Sequence, residues 1–167
     1  MTDKTRKAPA ALIKNGEYSD ERWIDMMAAH HAMAIGMGEI AKERGEHPEI
    51  RNLAQSIIDD QMKEREKLSK IKKDNFGTDE IANSPHDHER GMHGMVSNAE
   101  LKKADPFDKA FIRNQIPHHA SAIEMASVAA METKIDAIRM MGRQIIQAQA
   151  EEIGNMINWH KAWYGDM

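Results

Sequence analysis

The sequence predicts an all-α protein, an antiparallel four-helix bundle made of two duplicated helical hairpins joined by a long crossover loop. Three observations carry this. Sliding the chain against itself by 88 residues aligns Asp20–Phe76 with Asp108–Tyr164 without an insertion, and self-similarity over that length is a repeat. Two His-His pairs, His30-His31 and His118-His119, coincide in it, as do Ile24/Ile112, Met37/Met125, Arg51/Arg139, Gln61/Gln149 and Glu64/Glu152. Each copy also carries apolar residues at helical spacing, interrupted near its middle by helix stop and start signals.

Taken in order, Ser19 or Asp20 can cap a first helix, which runs to Arg44-Gly45, where glycine permits a left-handed closing residue. Pro48 suits the first turn of a second helix, continuing to about Lys73. Asp105-Pro106 opens a third helix to about Met131, and Thr133 can cap a fourth reaching Trp163. Residues 75–104, with Gly77, Pro85, Gly91 and Gly94, form the crossover loop, with one short helix starting near Ser97-Asn98. We expect a single domain over residues 1–167, with repeats at about 17–74 and 105–164.

The net charge of −4, with Lys and Arg spread along the helices, leaves no nucleic-acid footprint, and no apolar run reaches the length of a membrane span. Residues 1–14 lack the apolar segment of a signal peptide. Composition alone leaves the compartment open between a cytosolic protein and an extracytoplasmic one, periplasmic or secreted, whose signal is not in this sequence. Absence of cysteine excludes disulfides and thiolate metal sites and suits an oxidising compartment. Fourteen methionines against three phenylalanines, with nine histidines, raise the question of copper, because thioethers suit Cu(I) and imidazoles also suit Cu(II).

The histidines divide by helical direction. His31 and His119 fall on apolar stripes with Ile24, Ala28 and Ile35, and with Ile112, Ile116 and Ile123. Gln61 and Glu64, and their repeat mates Gln149 and Glu152, interrupt the seams of the partner helices. His31 lies fourteen residues before Gly45 and Gln61 fourteen after His47, which predicts a central polar layer of His31, His119, Gln61, Gln149, Glu64 and Glu152, with His119 beside Gln149. That layer reads either as a hydrogen-bond network fixing register or as a metal site with supporting carboxylates.

Adjacent residues diverge by roughly 100° on a helix, so His30 and His118 belong to another stripe. On the first helix this stripe is Met26, His30, Met33 and Met37, which puts three thioethers and an imidazole on one strip of the helix surface. Such a stripe more often packs in a core than binds metal, and the histidine within it makes a soft-metal site the competing reading. On the third helix the stripe is Asn114, His118, Ser121 and Met125. Pro117 inside the third helix frees a carbonyl where the pair sits. The crossover loop is the sharper signal. His86, His88, Met92, His93 and Met95 fall within eleven residues, a mixed imidazole and thioether set that helix packing does not explain. Met156 and His160, four apart, read as packing and surface.

Trp23–His31, then Phe107–Ile112 running to Ile116–Ala126, resemble the paired signature of the DUF305 family, with Gly94–Ser97 fitting its linker, and the resemblance spans about Glu17 to Trp163. The resemblance implies a ferritin-like four-helix bundle, typically exported, with members that bind copper through Met and His and contribute to copper resistance. By position, His30, His31, Met33, Met37, His118, His119 and Met125 match the signature. Ala29 departs from it, as do Asn114 and Gln115, which stand where methionine is frequent and weaken a second soft site.

The leading expectation is therefore a copper-binding protein, not an enzyme, that sequesters or carries the metal. Its expected partners are copper ions and a copper-exporting or copper-accepting protein. A di-metal oxidase would need Glu-x-x-His pairs, which the sequence lacks. An interaction module with an exposed Met strip is the remaining alternative.

Overall fold

A computed structural model describes residues 12–14, 16–83 and 95–167. His86, His88, Met92 and His93 lie outside the described residues. The described chain is helical apart from a minimal hairpin, strand β1 (Ile13–Lys14) pairing antiparallel with β2 (Glu17–Tyr18). Nothing in the sequence pattern signals these two-residue strands.

Helix α1 (Asp20–Arg44) starts where Ser19 Oγ accepts the Arg22 amide at 3.3 Å, with Asp20 and Glu21 complementing the positive end of the helix. Gly45 closes it at φ −54°, not in the left-handed region. Space is what demands glycine there, since a Cβ would lie 2.7 Å from the Ala41 carbonyl oxygen and 2.9 Å from Arg51 Cγ. Helix α2 (Pro48–Phe76) runs three residues past Lys73 and ends at Gly77, which does take the left-handed conformation at φ 80°. Short helix α3 (Asn98–Leu101) carries a capping box between Ser97 and Glu100.

Helix α4 (Phe107–Glu132) continues through Pro117, and α5 (Asp136–Tyr164) follows. Thr133 does not cap α5. It closes α4 through its amide to the Ala129 carbonyl, while its Oγ1 accepts the Ile135 amide in the turn, so α5 begins two residues later than expected without a side-chain cap.

The hairpins α1–α2 and α4–α5 meet mainly through α1 and α4, with a lighter contact between α2 and α5. Helices α1 and α4 run antiparallel, because Trp23 donates to the Met125 carbonyl at 3.1 Å while Glu46 and His47, just past the other end of α1, meet Asp108. Two apolar clusters fill the interior. One gathers around Trp23, Met27, Leu68, Ala126 and Ile145, the other around Met37, Ile57, Phe107, Phe111 and Met156. Along α1 and α4 both histidine pairs fall between them.

Candidate metal centre

All four paired histidines are buried. The sequence expectation that His30 and His118 lie on a stripe outside the core is wrong, and the reason is geometric. A bundle helix has two neighbours, so two of its stripes are covered: His31 turns toward α2 and meets Glu64, while His30 turns toward α4 and stacks on His118 with ring centroids 3.6 Å apart and planes at 23°. The methionine strip is covered likewise. Met26 and Met37 are buried and Met33 is half-buried, so these residues offer no exposed apolar strip.

Carboxylates reach the layer from the outer helices. His31 Nε2 lies 2.7 Å from Glu64 Oε2, an ion-pair distance off the axis of a hydrogen bond, and His119 Nε2 lies 2.5 Å from Glu152 Oε2. The His119 partners are Glu152 and Gln115 rather than Gln149, which is buried but leaves its Oε1 unpaired. Gln115 Nε2 donates to His119 Nδ1 at 3.2 Å, so His119 Nδ1 accepts and His119 Nε2 carries the proton donated to Glu152. Similar logic fixes His30. Ser121 Oγ donates to the His118 carbonyl at 2.8 Å, so its contact with His30 Nε2 at 2.7 Å is an acceptance, leaving His30 Nδ1 as a bare lone pair. Neither ring nitrogen of His118 has a hydrogen-bond partner.

Burial, followed by the neighbouring imidazoles of His31 and His119, pushes the pKa of His30 well below the ordinary histidine value. Burial does the same to His118, reinforced by His30, His119 and His31. Two neutral rings can stack in this way; two imidazolium ions at that separation would repel. The layer holds no preformed set of three histidine or carboxylate ligands. Stacked rings direct their in-plane lone pairs along nearly parallel planes, and no three histidine or carboxylate ligand atoms within it lie inside 4.8 Å of one another.

Among the described residues, one group does meet that distance: Glu46, His47 and Asp108. Its atoms are already engaged. Buried Asp108 accepts the Glu46 amide at 2.9 Å, the His47 amide at 2.8 Å and His47 Nδ1 at 2.7 Å, while Glu46 accepts the Phe107 amide at 3.2 Å. Asp108 thus satisfies amides at the start of α2 from across the bundle, where a helix end favours an anion over a cation. Sequence reading gave Asp108 no role beyond its alignment with Asp20.

The thioethers come together elsewhere. Met33 and Met37, one turn apart on α1, line a pocket of about 370 Å³ together with Met95, Asn83, Val96 and Asn98. Asn83 and Met95 are the described residues that bracket the segment carrying His86, His88, Met92 and His93. Met26 and Met125 belong instead to the apolar cluster around Trp23, away from this pocket. Met156 and His160 are both buried, so the surface reading of His160 fails; its Nδ1 faces the Gly165 carbonyl at 3.2 Å.

No helix among the described residues is long and apolar enough to cross a membrane. No curated protein matches the sequence. Among solved structures, the chain is 33% identical to CopM in its Cu(I)-bound form, with 89% of this chain and 100% of CopM covered and a TM-score of 0.78. The Cu(II)-bound form of CopM gives 34% identity over 89% and 99% of the two chains, with a TM-score of 0.80. A DUF305 fragment from Deinococcus radiodurans, 24% identical over 84% of this chain and 95% of its own, shares the fold with a TM-score of 0.69. The family model for a domain of unknown function, DUF305, matches residues 20–160, and the chain belongs to that family.

Proposed function

We propose that the protein binds copper as cargo, chiefly Cu(I) at the thioethers of Met33, Met37 and Met95, and so sequesters or carries the metal in copper homeostasis or resistance. The observation that carries this reading is the convergence of three methionines from α1 and the segment before α3 on one pocket. Thioethers are soft, uncharged donors that suit Cu(I) and Ag(I), and CopM, 33–34% identical, has been solved with Cu(I), Cu(II) and Ag bound. His86, His88, Met92 and His93 supply further donors in the adjoining sequence, the imidazoles extending the set toward Cu(II).

The histidine layer is read as a network that fixes the register of the two hairpins, because its rings are stacked and engaged by Glu64, Ser121, Gln115 and Glu152. We assign no catalysis to the protein. An extracytoplasmic location fits the cysteine-free sequence, where Cu(I) delivered to a partner protein would meet no competing thiolate of its own chain.

The test is an anaerobic titration of apo protein with Cu(I) against a chromophoric chelator. Withdrawal of copper by the wild type, and its weakening by Met33→Leu, Met37→Leu or Met95→Leu, is expected. Protein that leaves all copper with the chelator refutes the function; unchanged uptake in the three leucine variants together moves the site elsewhere.

A further inference from the structure

Asn114 is one of the positions where the chain departs from the methionine frequent in its family, and the sequence alone reads it as a ligand lost. The structure gives it other work. The side chain is 2% exposed, on α4, and both ends of its amide are spent on a single residue outside the helix: Oδ1 accepts the Val96 N–H at 2.9 Å and Nδ2 donates to the Val96 carbonyl at 3.0 Å. This is the pairing a neighbouring β-strand would offer, supplied by one side chain. Val96 follows Met95 directly, and both line the methionine pocket.

We propose that Asn114 is a positioning residue for soft-metal binding: by fixing the Val96 backbone it holds the Met95 thioether at the pocket shared with Met33 and Met37. The inference rests on reading that pocket as the copper site. Val96 cannot hold the segment itself, since its own side chain is 42% exposed. Helix α3 begins only at Asn98, so its capping box secures the chain from Ser97 onward and not Met95. On the other side of the pocket Asn83 has a comparable tether, the Arg65 guanidinium, which also donates to the Ala82 carbonyl at 3.0 Å and to the Ala28 carbonyl of α1. A donor held in place before the metal arrives is not ordered at the expense of binding. Ordering one backbone residue costs roughly 1–2 kcal/mol, a factor of roughly 5–30 in an equilibrium constant, so loss of the tether should weaken the site about tenfold.

The experiment measures Cu(I) affinity by anaerobic chelator competition for wild type, Asn114→Ala, Met95→Leu and the double variant, with urea unfolding of each apo protein alongside. Asn114→Ala should weaken binding about tenfold, and that loss should vanish in the Met95→Leu background, an outcome that general destabilisation does not produce. Val96→Pro, which removes the donated N–H from the loop side and leaves the core residue intact, should reproduce the loss and decides the matter if Asn114→Ala does not fold. If Met95→Leu weakens binding while folded Asn114→Ala or Val96→Pro does not, or if the loss is the same with and without the Met95 thioether, Asn114 is only structural and the pocket stands. If wild type takes no copper, or Met95→Leu changes nothing, the pocket reading fails and this inference with it.

Discussion

The stacked histidines make the bundle's stability depend on pH in a direction that can be worked out. His30 and His118 have folded-state pKa values held well below the ordinary 6.5, first by burial, whereas the unfolded chain titrates near that value. Below pH 6.5 the unfolded state therefore binds protons that the folded state refuses, so the stabilisation is present above the unfolded pKa and is lost as pH falls toward the folded pKa. For each ring that stays neutral in the folded protein, the loss between pH 7.5 and 5.5 is about 1.4 kcal/mol, or about 2.7 kcal/mol for the pair. That is a large part of a total of roughly 5–15 kcal/mol. Urea unfolding followed by the fluorescence of buried Trp23 reads it directly, as a fall in midpoint of roughly 1–3 M at ordinary urea slopes. The control is His30→Leu/His118→Leu, which removes both titrating rings. A double variant that loses as much stability on acidification as wild type would show that the slope comes from other groups, and would refute the assignment.

Two further predictions concern buried charge. Asp108→Ala removes the acceptor of two amides and an imidazole at the α1–α2 turn and should cost about 2–4 kcal/mol, read as a lower thermal midpoint by circular dichroism, whereas a loss under about 0.5 kcal/mol would mean water replaces the carboxylate. At Lys72, whose ammonium lies 2.8 Å from Asp25 Oδ1 with the lysine side chain 8% exposed, the two partners should respond unequally. Asp25→Ala strands a buried cation and should cost about 1–3 kcal/mol, after allowance for the partial exposure of Asp25; Lys72→Met, which fills the same space with an apolar chain, should cost less, and equal losses would contradict the argument.

The helices were legible because their signals are local. Ser19, Pro48 and the Ser97 box each act within one turn, and the structure places α1, α2 and α3 within a few residues of where those signals put them. What failed depends on neighbours. Thr133 has the right chemistry for a cap, but the path of the α4–α5 turn spends it on Ile135; Gly45 is demanded by crowding from Ala41 and Arg51, which a sequence cannot distinguish from a demand for positive φ. The polar layer was readable in its members, since His31, His119, Glu64 and Glu152 interrupt apolar seams at matched heights, and the structure joins them in two imidazole–carboxylate contacts. The stacking of His30 on His118 was not, because a stripe count on one helix does not say how many neighbours that helix has. Asn114 is the sharpest case. Its type marked a ligand missing, while its role is set by a backbone 18 residues away.

Imidazoles and thioethers also differ in what it takes to bury them, and this separates the two sets of residues functionally. A buried imidazole without a partner is costly, and three of the four histidines meet one: His31 lies against Glu64, His30 against Ser121, and His119 against Gln115 and Glu152, while His118 is held by stacking on His30. A thioether is a flexible, nearly apolar group that can line a pocket with nothing bound at little cost to the fold. A protein that takes up and releases a cargo ion without unfolding is better served by the second kind of donor. The consequence is testable in one protein: Met33→Leu/Met37→Leu/Met95→Leu keeps side-chain volume nearly constant and, with half-buried Met33 and Met95 at its edge, should lower apo stability by less than about 1.5 kcal/mol for each residue while removing most Cu(I) affinity. His31→Leu should do the reverse, leaving Glu64 without its partner and lowering the urea midpoint while Cu(I) affinity in the folded protein holds within about threefold, under 1 kcal/mol. Copper affinity that follows the histidine and ignores the methionines would invert these roles and put the metal in the buried layer.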